Sequence, residues 1–204
     1  VNNEIGTIQP VKNVCNIAAE YAIPVHTDAV AAYGHIPVNV KELGVDYLSV
    51  SAHKIGGAKG TGFLYAKAAN INPYICGGGQ EKGKRSGTEN VAGIMGLAKA
   101  AEIAQEKLDS RIEEENITKN YITNRILREI KGSSLNGDYK KRISGNMNFA
   151  FTGVNGGELV IMLDKNGILM EAKPFSVGAR IEHLQKTTDI AQFGAESQKL
   201  KLPP

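Results

Sequence analysis

The apolar run Tyr47-Leu48-Ser49-Val50 ends in Ser51-Ala52-His53-Lys54 and passes into the glycine-rich stretch Ile55-Gly56-Gly57-Ala58-Lys59-Gly60-Thr61-Gly62. A short run of strand formers closed by glycines reads as an interior strand. In open α/β sheets, ligand chemistry gathers just beyond the carboxyl ends of such strands. A lone lysine after a strand would read as solvated surface, but Lys54 is not alone. A second apolar run, Ile23-Pro24-Val25, ends in His26-Thr27-Asp28-Ala29. Two strand ends therefore present an amine and a carboxylate, with Ser51 and His53 beside the amine.

The rest of the chain fits an α/β class. Residues 1 to about 105 alternate a helix (Val11 to Tyr21), three strands (Ile23 to His26, Tyr47 to Ser51, Gly62 to Tyr65) and a helix from about Val91. That order predicts a mainly parallel sheet with covering helices. From Glu106 to Lys131, Leu108, Ile112, Tyr121, Leu127 and Ile130 recur among charges, which predicts a long amphipathic helix. Glu113-Glu114-Glu115 is expected on its solvated face. A strand from Asn148 to Phe151 and a helix from Gly157 to Lys165 open a small α+β domain. The expected division is a larger domain over 1–105 and a smaller one over 106–204.

Pyridoxal phosphate chemistry asks for what these strand ends offer. It needs a lysine that can form a Schiff base, a carboxylate that keeps the pyridine nitrogen protonated, and a polar cup for the phosphate. The chain resembles the pyridoxal-phosphate-dependent cysteine desulfurases that supply sulfur for iron-sulfur clusters, within the class V aminotransferases. The resemblance is carried by Val1-Asn2-Asn3-Glu4-Ile5-Gly6, His26-Thr27-Asp28-Ala29, Ser51-Ala52-His53-Lys54, Gly77-Gly78-Gly79-Gln80-Glu81 and Arg85-Ser86-Gly87-Thr88-Glu89-Asn90. It runs through about the first 170 positions and implies the fold type I of such enzymes, here a partial large domain and a partial small one. By position, Lys54 resembles the Schiff-base lysine and Asp28 the partner of the pyridine nitrogen. Asn3 resembles the residue that bonds the ring hydroxyl, and Ser51 and His53 resemble phosphate ligands. Thr88 resembles the residue that reaches the phosphate of a neighbouring subunit, which implies a homodimer. The implied reaction removes sulfur from L-cysteine to leave L-alanine and a persulfide, for delivery to an iron-sulfur scaffold or another sulfur acceptor.

The departures from the pattern are specific. The family's nucleophilic cysteine lies in a Ser/Gly-rich loop after the segment matching Gly157 to Ile168. Here that place reads Leu169-Met170-Glu171-Ala172-Lys173-Pro174-Phe175-Ser176. Residues 171–204 do not align with the family, and Arg180 is not assigned as the substrate-carboxylate arginine. The chain starts inside a motif, so the part that carries a ring-stacking histidine and a glycine/threonine phosphate loop is expected to be missing. Ala31 stands where relatives carry a glutamine to the cofactor hydroxyl, a hydrogen bond of ~1 kcal/mol. By itself the chain is expected to be inactive, a dimerising or cofactor-holding domain. A selenocysteine lyase or another class V aminotransferase stays open as a reading.

Other classes of function are less well supported. The +3 charge comes from 24 basic and 21 acidic residues that are interspersed, so no basic stripe points to nucleic acid. No apolar run approaches the ~20 residues a membrane span needs. Cys15 and Cys76 make a disulfide framework unexpected and suit a reducing cytoplasm. Cys15 reads as a buried residue on the apolar face of Val11, Val14 and Ala18. Cys76 directly precedes three glycines, so its backbone could approach a ligand, but relatives place a different residue here and use a distant loop for attack, so it is not assigned the catalytic role. His26, His35, His53 and His183 lack ligand spacing, so no metal is expected. Gly78 to Lys84 fits the body of a P-loop, but Arg85 stands where Ser or Thr should bind magnesium. Ser51-x-x-Lys54 also fits the motif of penicillin-binding acyl enzymes, whose companion motifs are missing.

Overall fold

The computed structural model describes residues 1–68, 71–173 and 176–180. The chain divides into two compact units, Pro10–Leu108 and Val1–Gln9 with Asp109–Pro204. The first nine residues, expected with the larger domain, thus group with the second unit.

Helix α1 (Val11–Glu20) opens the first unit and buries Cys15. Val14 and Ile17 are exposed, so its buried line is narrower than the sequence suggests. Ala22 then takes a left-handed φ of 53°, and Pro24 has no N–H to donate to a ladder. Regular pairing therefore starts at β1 (His26–Asp28), three residues later than expected. Helix α2 (Val40–Leu43) is capped by Asn39, whose side chain accepts from the N–H groups of Lys41 and Glu42. Strands β2 (Tyr47–Ser51) and β3 (Gly62–Ala66) follow, then helices α3 (Gln80–Gly83) and α4 (Val91–Glu106).

The sheet order is β1-β2-β3. The β1–β2 pair is parallel and the β2–β3 pair antiparallel. Leu48 and Val50 alternate inward along β2 and are buried. Helix α4 buries Gly93, Leu97, Ala100 and Ala104, a single stripe at helical spacing. Leu97, Ala100 and Ala104 share a core with Ala52 and Ile55, so α4 packs on the turn that follows β2. Gly34, at φ 78°, allows close approach there: a Cβ on it would lie 2.7 Å from Ile55 Cγ2.

In the second unit, helix α5 (Leu108–Glu129) begins after Lys107 ends α4, two residues later than expected. Strands β4 (Ser133–Leu135) and β5 (Asn146–Phe151), helix α6 (Gly156–Asp164), and strands β6 (Glu171–Lys173) and β7 (Ser176–Arg180) complete it. The sheet order is β4-β5-β7-β6, with antiparallel pairs throughout. Ile122 and Ile126 of α5 pack with Met147 and Phe149 of β5, and Leu159, Leu163 and Ile168 form a second cluster.

The buried face of α5 differs from the expected one. Tyr121 and Leu127 are exposed, whereas Glu115 is only 7% exposed. Ser144 Oγ donates to Glu115 Oε2 at 2.5 Å, which gives this buried polar side chain a partner. The reading of Glu115 as solvated is therefore corrected, while Glu113 and Glu114 do face solvent. Among the described residues no helix is long and apolar enough to cross a membrane. His183 and the rest of the chain beyond residue 180 lie outside the described residues.

Candidate functional site

The parallel register sets Asp28 beside Ser49, and Ala29 N donates to Ser49 O at 2.9 Å. Asp28 thus ends β1 on the same side of the sheet on which Ser51 ends β2. After Ser51 the chain makes one 3-10 turn, Ala52–Lys54. Ala52 O accepts from both Ile55 N, at 3.0 Å, and Gly57 N, at 2.9 Å, which closes that turn. A Cβ on Gly57 would come within 2.9 Å of Ala52 Cβ, so the tight return needs a glycine. Asp28, Ser51, His53 and Lys54 therefore gather at one end of the β1–β2 pair.

Their surroundings leave the reactive atoms available. Lys54 and Ser51 are half-buried, and His53 is exposed. Among the described residues, the Lys54 amine, the Ser51 hydroxyl and the His53 ring make no hydrogen bond or ion pair. Asp28 Oδ1 accepts from Val30 N at 2.8 Å, which orients the carboxylate. Two histidines not assigned a role in the sequence support this end of the sheet. His26 Nε2 lies 2.8 Å from Ser49 Oγ and joins β1 to β2 through side chains. Buried His35 donates from Nε2 to Lys54 O at 3.3 Å. Only the closed fold shows these partners, because 23 and 19 residues separate the two pairs.

Thr88 is exposed in the loop that enters α4. That loop is tied by Ser86 Oγ donating to Gly78 O at 2.8 Å and by Gln80 Oε1 accepting from Gly87 N at 3.2 Å. Asn90 caps α4 by accepting from Gly93 N at 3.1 Å. Asn3 belongs to the other unit, exposed on a turn between Asn2 and Thr7 that Asn2 N→Thr7 O closes at 2.9 Å. Cys76 is an exposed free thiol, and Cys15 is buried, with burial and then the Asp46 charge raising its thiol above the ordinary range.

The donor set suits pyridoxal phosphate. A carboxylate that ends β1 and an amine on the turn after the adjacent parallel strand β2, with a hydroxyl and an imidazole without protein partners on the same strand end and turn, are groups of the kind this cofactor requires. No cluster of three or more His, Cys, Asp or Glu that could hold a metal ion forms among the described residues.

Residues 1–189 match the family model described as aminotransferase class-V, past the point near 170 where the resemblance was expected to end. The chain is 49% identical over 168 residues to the cysteine desulfurase IscS of Dictyoglomus turgidum, covering 82% of this chain and 43% of that protein. It is 36% identical over 200 residues to the putative cysteine desulfurase IscS 1 of Bacillus subtilis, covering 98% of this chain and 52% of the other. Among solved structures, a NifS-like protein superposes with a TM-score of 0.90 at 31% identity, over 98% of this chain and 58% of its own. A NifS-like protein from Rickettsia africae also reaches 0.90, at 25% identity, over 98% of this chain and 60% of its own. The chain spans about half the length of the curated relatives it matches.

Proposed function

Because the chain belongs to the class-V aminotransferase family, we propose that it carries the cofactor-lysine portion of a pyridoxal-phosphate-dependent cysteine desulfurase. The observation that supports this reading is that Asp28 ends β1 and Lys54 closes the turn that follows the adjacent parallel strand β2, with no protein partner on either Lys54 Nζ or Ser51 Oγ among the described residues. Similarity to proteins named cysteine desulfurase supports the substrate, L-cysteine.

In this reading, Lys54 Nζ would hold the cofactor and, when free, would be the base that takes the proton from the substrate's α carbon. Asp28 would keep the ring nitrogen protonated. Ser51 and His53 would hold the phosphate, Thr88 would reach the phosphate of a second copy in a homodimer, and Asn3 would donate to the ring hydroxyl. When bound, pyridoxal phosphate supplies an electron sink for the charge left at that α carbon.

The chain alone holds the cofactor without forming a persulfide, because the loop position offers Leu169 to Ser176 and no thiol. Sulfur delivery to an iron-sulfur scaffold or other acceptor, and a cytoplasmic setting, belong to the same reading of the whole protein. The test is to add pyridoxal phosphate to the purified chain, reduce with borohydride and map the adduct by peptide mass spectrometry. Labelling confined to Lys54 is expected; labelling scattered over many lysines, or none, overturns the assignment. Sulfide release from L-cysteine well above that with free pyridoxal phosphate would overturn the statement that the chain alone is inactive.

A further inference from the structure

We propose that Asn146 and Asn148 are positioning residues for Asn3, forming a paired amide clamp on the backbone next to it; this rests on the reading of Asn3 as a cofactor group. The two asparagines stand at i and i+2 on β5, hence on one face of the strand, and are 4% and 3% exposed. Each donates from Nδ2 to the carbonyl oxygen of Glu4, both at 3.2 Å, so one backbone oxygen receives two donors.

The orientation of each amide is fixed from its other end. Arg142 Nη1 donates to Asn146 Oδ1 at 3.3 Å, and Asn136 Nδ2 donates to Asn148 Oδ1 at 2.7 Å. Reversing either amide would set an oxygen against the Glu4 carbonyl and an NH2 against a donor. The oxygen-side partners therefore make both asparagines donors toward residue 4.

The backbone around Asn3 makes this grip count. Asn2 Oδ1 accepts from Glu4 N and Ile5 N, both at 2.9 Å, which fixes the peptide following Asn3. The clamp fixes the next peptide through Glu4 O. Gly6, buried and at φ 70°, lets the segment lie against β5, because a Cβ there would meet Asn146 Oδ1 at 2.6 Å. Gly6 O also accepts from Ile143 N at 3.0 Å. Asn3 is thus an exposed side chain on a turn whose backbone is held from β5.

The variants that test this are Asn146→Asp and Asn148→Asp, which keep the shape and remove the donor. The Asn146→Asp carboxylate would face Arg142, which favours its being tolerated. Hydrogen–deuterium exchange of a peptide covering residues 1–9, read by mass spectrometry without cofactor, should rise about tenfold in either variant, as the loss of one such bond implies. Exchange in α6 should stay unchanged. Unaltered exchange in residues 1–9 overturns the proposal. Should an aspartate unfold the unit, Gly6→Ala probes the same contact from the other side and should give the same local rise.

With pyridoxal phosphate present, the pH midpoint of the pyridoxal absorption band reports on the ring oxygen. Asn146→Asp and Asn3→Ala should move it alike, and the double variant no further, whereas a merely structural role would leave the effects additive. If the wild-type chain labels at Lys54 but the clamp variants titrate as wild type, the clamp role falls and the cofactor reading stands. If the wild-type chain fails to label, the cofactor reading falls and the exchange result alone decides the clamp.

Discussion

The Nε2 of His35 lies 3.3 Å from the carbonyl oxygen of Lys54, and the imidazole is buried against the turn that carries the lysine. The segment between Asp28 and His35 is compact: Ala29 O accepts from Ala32 N and Tyr33 N, and Ala32 O accepts from His35 N and Ile36 N. One stretch of chain therefore carries the carboxylate at the end of β1 and also steadies the backbone of the amine at the end of β2.

Replacing His35 by Leu should lower stability by about 1 kcal/mol, the usual net worth of such a hydrogen bond, because the Lys54 carbonyl loses a donor. His35→Gln keeps an N–H donor at similar reach and should recover most of the loss. Urea midpoints of the three proteins check this. Equal midpoints for the Leu and Gln variants would show that the bond contributes nothing.

A second prediction concerns the entry of α4. A Cβ on Gly93 would lie 2.4 Å from Thr61 Cγ2 and 2.5 Å from Asn90 Nδ2, so Gly93→Ala should overpack this corner and cost about 1–3 kcal/mol. Thr61→Ser removes the methyl that the new Cβ meets. The double variant should be more stable than the sum of the singles, and a double-mutant cycle from thermal melts measures that coupling. Strict additivity would place the clash elsewhere.

The strand ends were legible in the sequence because β2 announces itself as a short apolar run, and the motif at its end stays on one turn. The start of β1 was misplaced because its boundary depends on Pro24 and the left-handed Ala22, which displace pairing toward the charged end of the motif. Glu115 was read as solvated because its partner, Ser144, is 29 residues away and invisible to helical periodicity. The strand was expected to start at Asn148, and β5 starts two residues earlier, at Asn146. The partner of both side chains is a carbonyl more than 140 residues earlier in the chain, which no local pattern around Asn146 reveals. Tertiary closure also groups residues 1–9 with the second unit, which no composition shift signals.

The second unit depends on Phe149, which is fully buried and packs with Ile122, Ile126 and Met147. Phe149→Ala should cost about 3–5 kcal/mol by lost transfer energy and a residual cavity. Phe149→Leu, which retains most of the volume, should cost markedly less. Chemical denaturation followed by circular dichroism separates the two, and near-equal losses would mean that the site collapses around the smaller side chain.

The acid limb of stability should respond to Glu129. Arg125 holds its carboxylate in a bidentate pair, with Nε to Oε1 at 2.9 Å and Nη2 to Oε2 at 2.7 Å, and Arg128 Nη2 adds a bond to Oε1 at 2.8 Å. These hydrogen bonds, Arg125's first, lower the Glu129 carboxyl from its ordinary 4.5 to about 2. For a group depressed on folding, the unfolded chain binds the proton first as pH falls. The stabilisation is therefore complete above pH 4.5 and is lost as pH drops through about 2. Glu129→Gln carries no such titration, so its urea midpoint should fall less steeply over that window than the wild type's. The pair is solvent-exposed, and raising the salt concentration should bring the two curves together. Parallel curves at low salt would show that the ion pair has no part in acid stability.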